Sequence, residues 1–319
     1  MTESRRHNRA GHQGDPELAQ FFTPAPVGEL IWLLLESWAG KQLPGVHLAV
    51  DPAAGRGHLL DIAARRLGVE NVCGVEMDSR LVARRVGLAE QVHFEVGDGL
   101  VDHPPQVAEG RFDLVIGNPP FGPLGAVTGS EVSGRGCFAV VHLAGVADPV
   151  KTAGELLFLE RALNLVGTGG LIALVMPQGF TANLRLQKVR DWVLDRARVV
   201  GVAELPAGTF RGPGLHACTS VVVLQKGAGA AEQDVMLLRS SADSLMCGLD
   251  AMAAVVRGCD TEDAELVELP SSELRGRRWD PRYWIGRKRC FDAVNRHRLR
   301  SLGDFIVHLT YGPIVTGSH

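Results

Sequence analysis

The stretch Val46-His-Leu-Ala-Val-Asp-Pro-Ala-Ala-Gly-Arg-Gly57 decides the architecture of this chain. Apolar residues run up to an acid, Asp51, and a glycine-rich turn then opens a helix expected to reach about Leu67. A strand handed to a helix through such a turn is the opening of a βαβ unit, and so of a parallel α/β sheet. Gly55 and Gly57 let the backbone approach a ligand closely, and the helix N-terminus behind them favours negative charge. The pattern D-P-x-x-G-x-G departs from the G-x-G-x-x-G of dinucleotide folds, because Leu60 stands where the third glycine would be.

Three further strand ends follow downstream. Asn71 to Asp78 (NVCGVEMD) ends its strand at Glu76. The interval from Gly57 of about twenty residues is where a doubly wound sheet places an acceptor for ribose hydroxyls. Val92 to Gly99 (VHFEVGDG) is a third strand with Asp98 at its end. The fourth lies in Asp113 to Gly122 (DLVIGNPPFG), where an apolar run stops at Gly117-Asn118 and two prolines forbid both helix and ladder pairing. What remains is a rigid, extended turn presenting the Asn118 amide, the Pro119 carbonyl and the Phe121 ring. Asn-Pro dipeptides are also ordinary turn formers. Four strand ends with polar residues nevertheless form one crevice, which is where open α/β sheets bind ligands.

Upstream, Phe21 to Trp38 (FFTPAPVGELIWLLLESW) reads as an apolar helix with Thr23 as N-cap and Pro24 at the first helical position. The two aromatics before the cap are then free to line a pocket. Beyond the fourth strand comes a glycine-rich insertion, roughly 123–152, of the length that usually marks function or mobility. An amphipathic helix to Val166, a buried strand Gly170 to Pro177 and a helix Asn183 to Arg196 follow. Strands Val199 to Leu205 and Ala217 to Leu224 are joined by AGTFRGPGLH, which carries Phe210 among glycines.

The last third changes in charge. Residues 228–274 hold ten acids and two arginines, whereas 275–300 hold nine arginines and Lys288 against two acids. The two segments nearly cancel, so the net charge of −3 conceals them. The basic segment interleaves Arg275, Arg277, Arg278 and Arg282 with Trp279, Tyr283 and Trp284. That mixture suits a nucleic-acid backbone, and equally a solvated helix with an aromatic core face. No apolar run approaches membrane-spanning length, the longest candidate being Leu30 to Leu35. The first fifteen residues have no apolar core of a secretory signal. Six scattered cysteines show no metal-ligand spacing, so reduced thiols, no metal and a cytoplasmic location are expected.

In this order, the FFTP segment, D-P-x-x-G-x-G, V-E-M-D, G-D-G and N-P-P-F resemble the gamma-type S-adenosylmethionine-dependent adenine-N6 DNA methyltransferases. The order is shared with type I restriction modification subunits and restriction-methylation fusion enzymes. The resemblance covers about Phe21 to Lys226. It implies a Rossmann-like class I methyltransferase fold, a seven-stranded, mostly parallel sheet with a C-terminal β-hairpin, plus a charged C-terminal extension. The domains expected are a disordered lead-in (1–20), the methyltransferase domain (21–227), an acidic then basic extension or linker (228–300) and the start of a target-recognition domain cut short (301–319).

Position by position, the resemblance implies that Phe22, Thr23, Pro24, Asp51, Pro52, Ala53, Gly55 and Gly57 hold the methionine end of S-adenosyl-L-methionine. Glu76 would bind its ribose hydroxyls, Met77 would lie beside its adenine ring, and Asp98 with Gly99 would meet its exocyclic amine. Asn118, Pro119, Pro120 and Phe121 would act on the target base, with Asn118 also reaching the cofactor and Phe210 a second stacking group. Arg275, Arg277, Arg278 and Arg282 are candidates for the DNA backbone. The family often has tyrosine at the fourth motif position; Phe121 keeps the stacking and lacks the hydroxyl. Double-stranded DNA and a specificity subunit or recognition domain are the partners implied, in a restriction-modification or phage-defence setting. Enzymes acting on a protein glutamine or an RNA base use the same Asn-Pro-Pro-aromatic motif, and a non-catalytic DNA- or partner-binding module of this fold is a third reading. No Pro-Cys dipeptide occurs, so a covalent cysteine route to cytosine C5 is disfavoured.

Overall fold

The computed structural model describes residues 22–40, 45–101, 110–122, 138–145, 152–212, 215–227, 233–242 and 244–297. The lead-in 1–20, most of the insertion at 123–152 and the tail 301–319 lie outside the described residues.

In chain order the elements are α1 (Ala25–Trp38), β1 (Ala49–Asp51), α2 (His58–Leu67), β2 (Val72–Glu76), α3 (Ser79–Val82), β3 (His93–Val96), β4 (Phe112–Gly117), α4 (Ala139–Leu143), α5 (Gly154–Leu165) and β5 (Val166–Pro177). They continue as α6 (Gln178–Ala182), α7 (Gln187–Leu194), β6 (Ala197–Glu204), β7 (Phe210–Gly212), β8 (Leu215–Ala217), β9 (Thr219–Lys226), β10 (Asp234–Ser240), α8 (Leu245–Val256), β11 (Ala264–Pro270) and α9 (Pro281–His297).

Nine strands form one sheet in the order β11-β10-β6-β9-β5-β4-β1-β2-β3. β1 runs parallel to β2 and β4, and β5 parallel to β4, whereas β9 is antiparallel to both β5 and β6. That is the expected doubly wound sheet with β6 and β9 as the hairpin. The expected count of seven is corrected to nine. The acidic stretch read as extension or linker contributes β10, parallel to β6, and β11, antiparallel to β10. Its apolar residues explain the addition, since Val235, Leu237 and Leu238 are buried while Glu268 of β11 is exposed and Glu265 half-buried. The strand order reverses between β1 and β4, so the ends of those strands flank the crevice.

Alternation along the central strands feeds two cores. Leu114, Ile116, Leu171 and Ala173 join α1, α2 and α8 on one face. Val115, Ile172, Leu174 and Met176 join α5, α6 and α7 on the other. Strands covered on both faces read as continuous apolar runs, which is why β4 and β5 were legible. Asp113 has a separate structural duty: its Oδ2 accepts from the backbone N–H groups of His47 and Leu48, at 2.9 and 3.0 Å, and fixes the approach to β1 beside β4.

Three local expectations change. The helix read as amphipathic, α5, is buried almost all round, Asn164 being its exposed residue. The helix expected over Asn183 to Arg196 is instead a short 3₁₀ turn at Leu184–Leu186 followed by α7, with α6 just before it and the Asn183 side chain accepting from the Arg185 N–H. The β6–β9 connection forms an antiparallel ribbon, β7 with β8.

The basic segment turns back onto the sheet layer. Trp279 is fully buried, edge-on to Phe180 at 5.5 Å, and its backbone N–H donates to the Thr181 carbonyl at 2.8 Å. Arg190, itself buried, donates to the carbonyls of Phe180, Asn183 and Arg277. Taking a guanidinium out of water lowers its pKa to about 10, desolvation being the cause.

Candidate active site

Asp51 closes β1 and is almost wholly buried, at 2% exposure. Its Oδ1 accepts from the Ala53 N–H at 2.9 Å, which bends the chain into the glycine turn. Burial pushes its carboxyl up to about 7; the Ala53 N–H opposes the rise and the Glu76 charge adds to it. Among the described residues the charged neighbour that perturbs it is another acid, Glu76, so the site favours a positively charged ligand group.

The loop after Asp51 is held from three sides. The Gly55 N–H donates to Glu76 Oε2 at 2.7 Å, and the Asp78 N–H to Oε1 at 2.9 Å. Glu76 is 9% exposed, and desolvation raises its pKa against those N–H bonds. Gly57 has φ +77° and lies so close to Ala89 that a Cβ would stand 2.6 Å from that methyl. Gly99 is tighter still: a Cβ there would stand 1.7 Å from the Pro52 carbonyl oxygen. The G-D-G turn after β3 therefore rests directly on the backbone of the D-P-x-x-G loop. Asp98 shapes that turn by accepting from the Leu100 N–H at 3.0 Å.

At the end of β4, a Cβ on Gly117 would stand 3.0 Å from Asp51 Oδ1. The residue before Asn118 thus brings the proline turn against the buried acid. Pro119 is buried, and Phe121 packs its ring partly against the α1–α2 core. Phe22, Thr23, Asp51, Gly55, His58 and Asn118 line one pocket that opens to solvent. Residues from three separate motifs, FFTP, D-P-x-x-G-x-G and N-P-P-F, meet there.

Thr23 is not the N-cap of α1. The helix starts at Ala25 with Pro24 in the capping position, and no side chain caps it. With prolines at 24 and 26, one fewer N–H needs a partner at that end. Thr23 is buried and faces the pocket instead. Glu76, Met77, Asp98 and Gly99 lie at the ends of β2 and β3, the next strands outward, with Met77 45% exposed.

Two groups of expected residues lie elsewhere. Phe210 is 3% exposed and packed into the α1–α2 core at the start of β7, so its ring is a core group in this structure. The four arginines each face a carboxylate: Arg275 with Asp195 at 2.7 Å, Arg277 with Glu273, Arg278 with Asp280, and Arg282 with Glu204 at 2.8 Å. Glu204 is itself buried, at 6% exposure. A phosphate would compete with these partners.

Sequence reasoning missed His58, which lies 5.7 Å ring to ring from Phe22 in the pocket wall. It also missed Glu155, Glu160 and Arg161, buried charges in the apolar helix α5. The legible signal was charge inside an otherwise apolar helical run, which requires a partner.

A family model described as N-6 DNA Methylase matches residues 8–247. The chain belongs to the N-6 DNA methylase family. It is 21% identical over 248 residues to the defense against restriction protein B of Escherichia phage P1, a match covering 76% of this chain and 10% of that protein. The chain thus spans about a tenth of the length of this curated relative. Among solved structures, the type IIG restriction endonuclease BpuSI superposes with a TM-score of 0.60 at 18% identity, over 81% of this chain and 32% of that one. A Listeria monocytogenes protein assigned to the class I S-adenosylmethionine-dependent methyltransferases gives 0.58 at 18% identity, over 75% and 72%. The type I restriction-modification methyltransferase subunit of Streptococcus thermophilus gives 0.57 at 20%, over 78% and 57%. At these identities the likeness is one of fold.

Proposed function

We propose that this N-6 DNA methylase family member binds S-adenosyl-L-methionine and transfers its methyl group to the N6 amine of adenine in DNA. The observation that carries the reading is the convergence of Thr23, Asp51 and Asn118 on one pocket at the sheet's switch point. The pocket suits the cofactor's methionine end. Asp51 offers a buried carboxylate to an ammonium, and the buried Thr23 hydroxyl lies beside the N-terminus of α1, whose dipole favours a carboxylate. Glu76, already anchored by two backbone N–H groups, would turn its remaining lone pairs to ribose hydroxyls. Met77 and Asp98 would meet the adenine ring and its amine. When bound, the cofactor supplies an electrophilic methyl on a sulfonium.

The chain's own task is to make a poor nucleophile competent. An adenine amine has its lone pair delocalised into the ring. Accepting both amine hydrogens, through the Asn118 side-chain oxygen and the Pro119 carbonyl, favours a pyramidal nitrogen with a localised lone pair. Fixed acceptors at the point where charge develops are electrostatic preorganisation. Phe121 would hold the base face so that nitrogen and methyl approach in line. A base in duplex DNA has to leave the stack to reach this crevice.

The relatives named above for restriction and modification support a role in a restriction-modification or phage-defence system. Sequence choice would then come from a recognition domain in cis or a specificity subunit in trans. The test is incubation with methyl-labelled cofactor and adenine-containing duplexes, followed by digestion and identification of the labelled nucleoside. N6-methyladenine is expected. Label found in a protein glutamine or in RNA, with none in DNA, would overturn the substrate, and cofactor binding with no transfer to any acceptor would favour a non-catalytic module.

A further inference from the structure

Helix α5 grips the residue that leaves the proline turn. Gly122, directly after Phe121, donates its N–H to Glu155 Oε2 at 2.8 Å and accepts on its carbonyl from the Gly154 N–H at 2.7 Å. Both polar backbone groups of Gly122 are therefore taken by adjacent residues of one helix. With φ at +77°, Gly122 holds a conformation that a tether can fix and a side chain would resist.

Glu155 is 7% exposed, and desolvation raises its pKa. Burying a carboxylate in the first turn of an apolar helix costs stability unless a donor meets it, and the Gly122 N–H is such a donor. The same helix reaches two neighbouring segments. Glu160 accepts from the Ala139 and Val140 N–H groups at 3.0 and 2.9 Å, at the start of α4. Arg161 donates to the Gly99 carbonyl at 3.1 Å, in the turn that rests on Pro52.

We propose that Glu155 is a positioning residue for the Asn118–Phe121 turn, its carboxylate setting the direction in which the chain leaves Phe121 and so the height of the Asn118 and Pro119 oxygens. This rests on the turn being the reaction centre. The clamp holds the end of the turn that the two prolines leave untethered, since β4 already fixes the other end.

The experiment compares Glu155→Ala, Glu155→Gln and Glu155→Asp in the full chain. It reads hydrogen exchange in the peptide spanning Asn118 to Gly122, cofactor affinity by calorimetry, and kcat and KM for methyl transfer. Glu155→Ala should speed exchange at the Gly122 amide and lower kcat by about 100-fold, the scale of a misplacement near 1 Å, with cofactor affinity kept within about two-fold. Glu155→Gln retains an acceptor oxygen and should restore slow exchange and most of kcat. Glu155→Asp, one methylene shorter, should fall between them in both readouts and serves if the alanine variant does not fold. Unchanged exchange in the shortened variants, or a glutamine variant no better than alanine, would overturn the proposal. So would parallel losses of cofactor affinity and rate. Hydrogen exchange tests the clamp without any substrate, whereas absence of DNA adenine methylation in the wild-type protein would count against the proposed activity alone.

Discussion

Replacing Gly99 by alanine isolates the contact that joins the two turns proposed to hold the cofactor. The added Cβ would stand 1.7 Å from the Pro52 carbonyl oxygen, 2.8 Å from its carbon and 3.3 Å from its Cα. Carbon-to-oxygen contacts normally begin near 3.3 Å, so the G-D-G turn and the D-P-x-x-G loop must separate by roughly 1.6 Å. Every obstructing atom is backbone, and no rotamer change relieves it. Forced shifts of this kind in packed regions cost about 1–3 kcal/mol. The same shift moves Asp98 away from the loop that follows Asp51, so cofactor affinity should fall by at least about ten-fold, equivalent to about 1.4 kcal/mol. Urea unfolding gives the first quantity and calorimetric titration with S-adenosyl-L-methionine the second. Gly179→Ala is the control, because a Cβ there meets nothing within 4 Å and its φ is unstrained. A Gly99→Ala protein matching this control in both measurements would refute the reasoning.

Other expectations follow from single residues. The carboxyl of Asp51, raised to about 7 by burial, contributes stability to the cofactor-free protein that is complete below pH 4 and lost as pH rises through 7. Asp51→Asn cannot ionise, so its advantage over wild type should grow from acid to pH 8 and approach about 4 kcal/mol; an advantage that does not change with pH would contradict the assignment. Phe210→Ala should cost about 3–5 kcal/mol in denaturant unfolding, as for a core phenylalanine. Wild-type stability with impaired transfer would return that ring to a base-stacking role.

The order of strands was readable because each of β1, β2 and β4 is an apolar run ending in a polar residue at a turn. Asp51, Glu76 and Asn118 stood out for the same reason. The sheet's width was less legible. Charge counting marked 228–274 as a separate segment, yet β10 buries Val235, Leu237 and Leu238, and its place in the sheet is decided by tertiary pairing with β6 and β11. The arginine stretch was ambiguous from composition because two of its partners, Asp195 and Glu204, lie far away in sequence, though Glu273 and Asp280 lie within it or beside it. Phe210 carried the opposite error: glycines around it signalled an open loop, whereas β7 pairs with β8 and turns the ring inward. Thr23 had the chemistry of a cap, and Pro24 took the position. The Glu155 clamp joins residues on either side of an insertion, a long-range contact that periodicity cannot report.

The central claim is that the Asn118 turn is where chemistry occurs while the neighbouring strand ends hold the cofactor. Asn118→Ala measures it directly, with cofactor affinity and methyl transfer to duplex DNA determined on the same preparation. The account predicts transfer lowered by at least about 100-fold, the scale set by removal of one preorganised hydrogen-bonding group, with affinity kept within a few-fold. Transfer persisting near the wild-type rate, or affinity collapsing together with transfer, would contradict it.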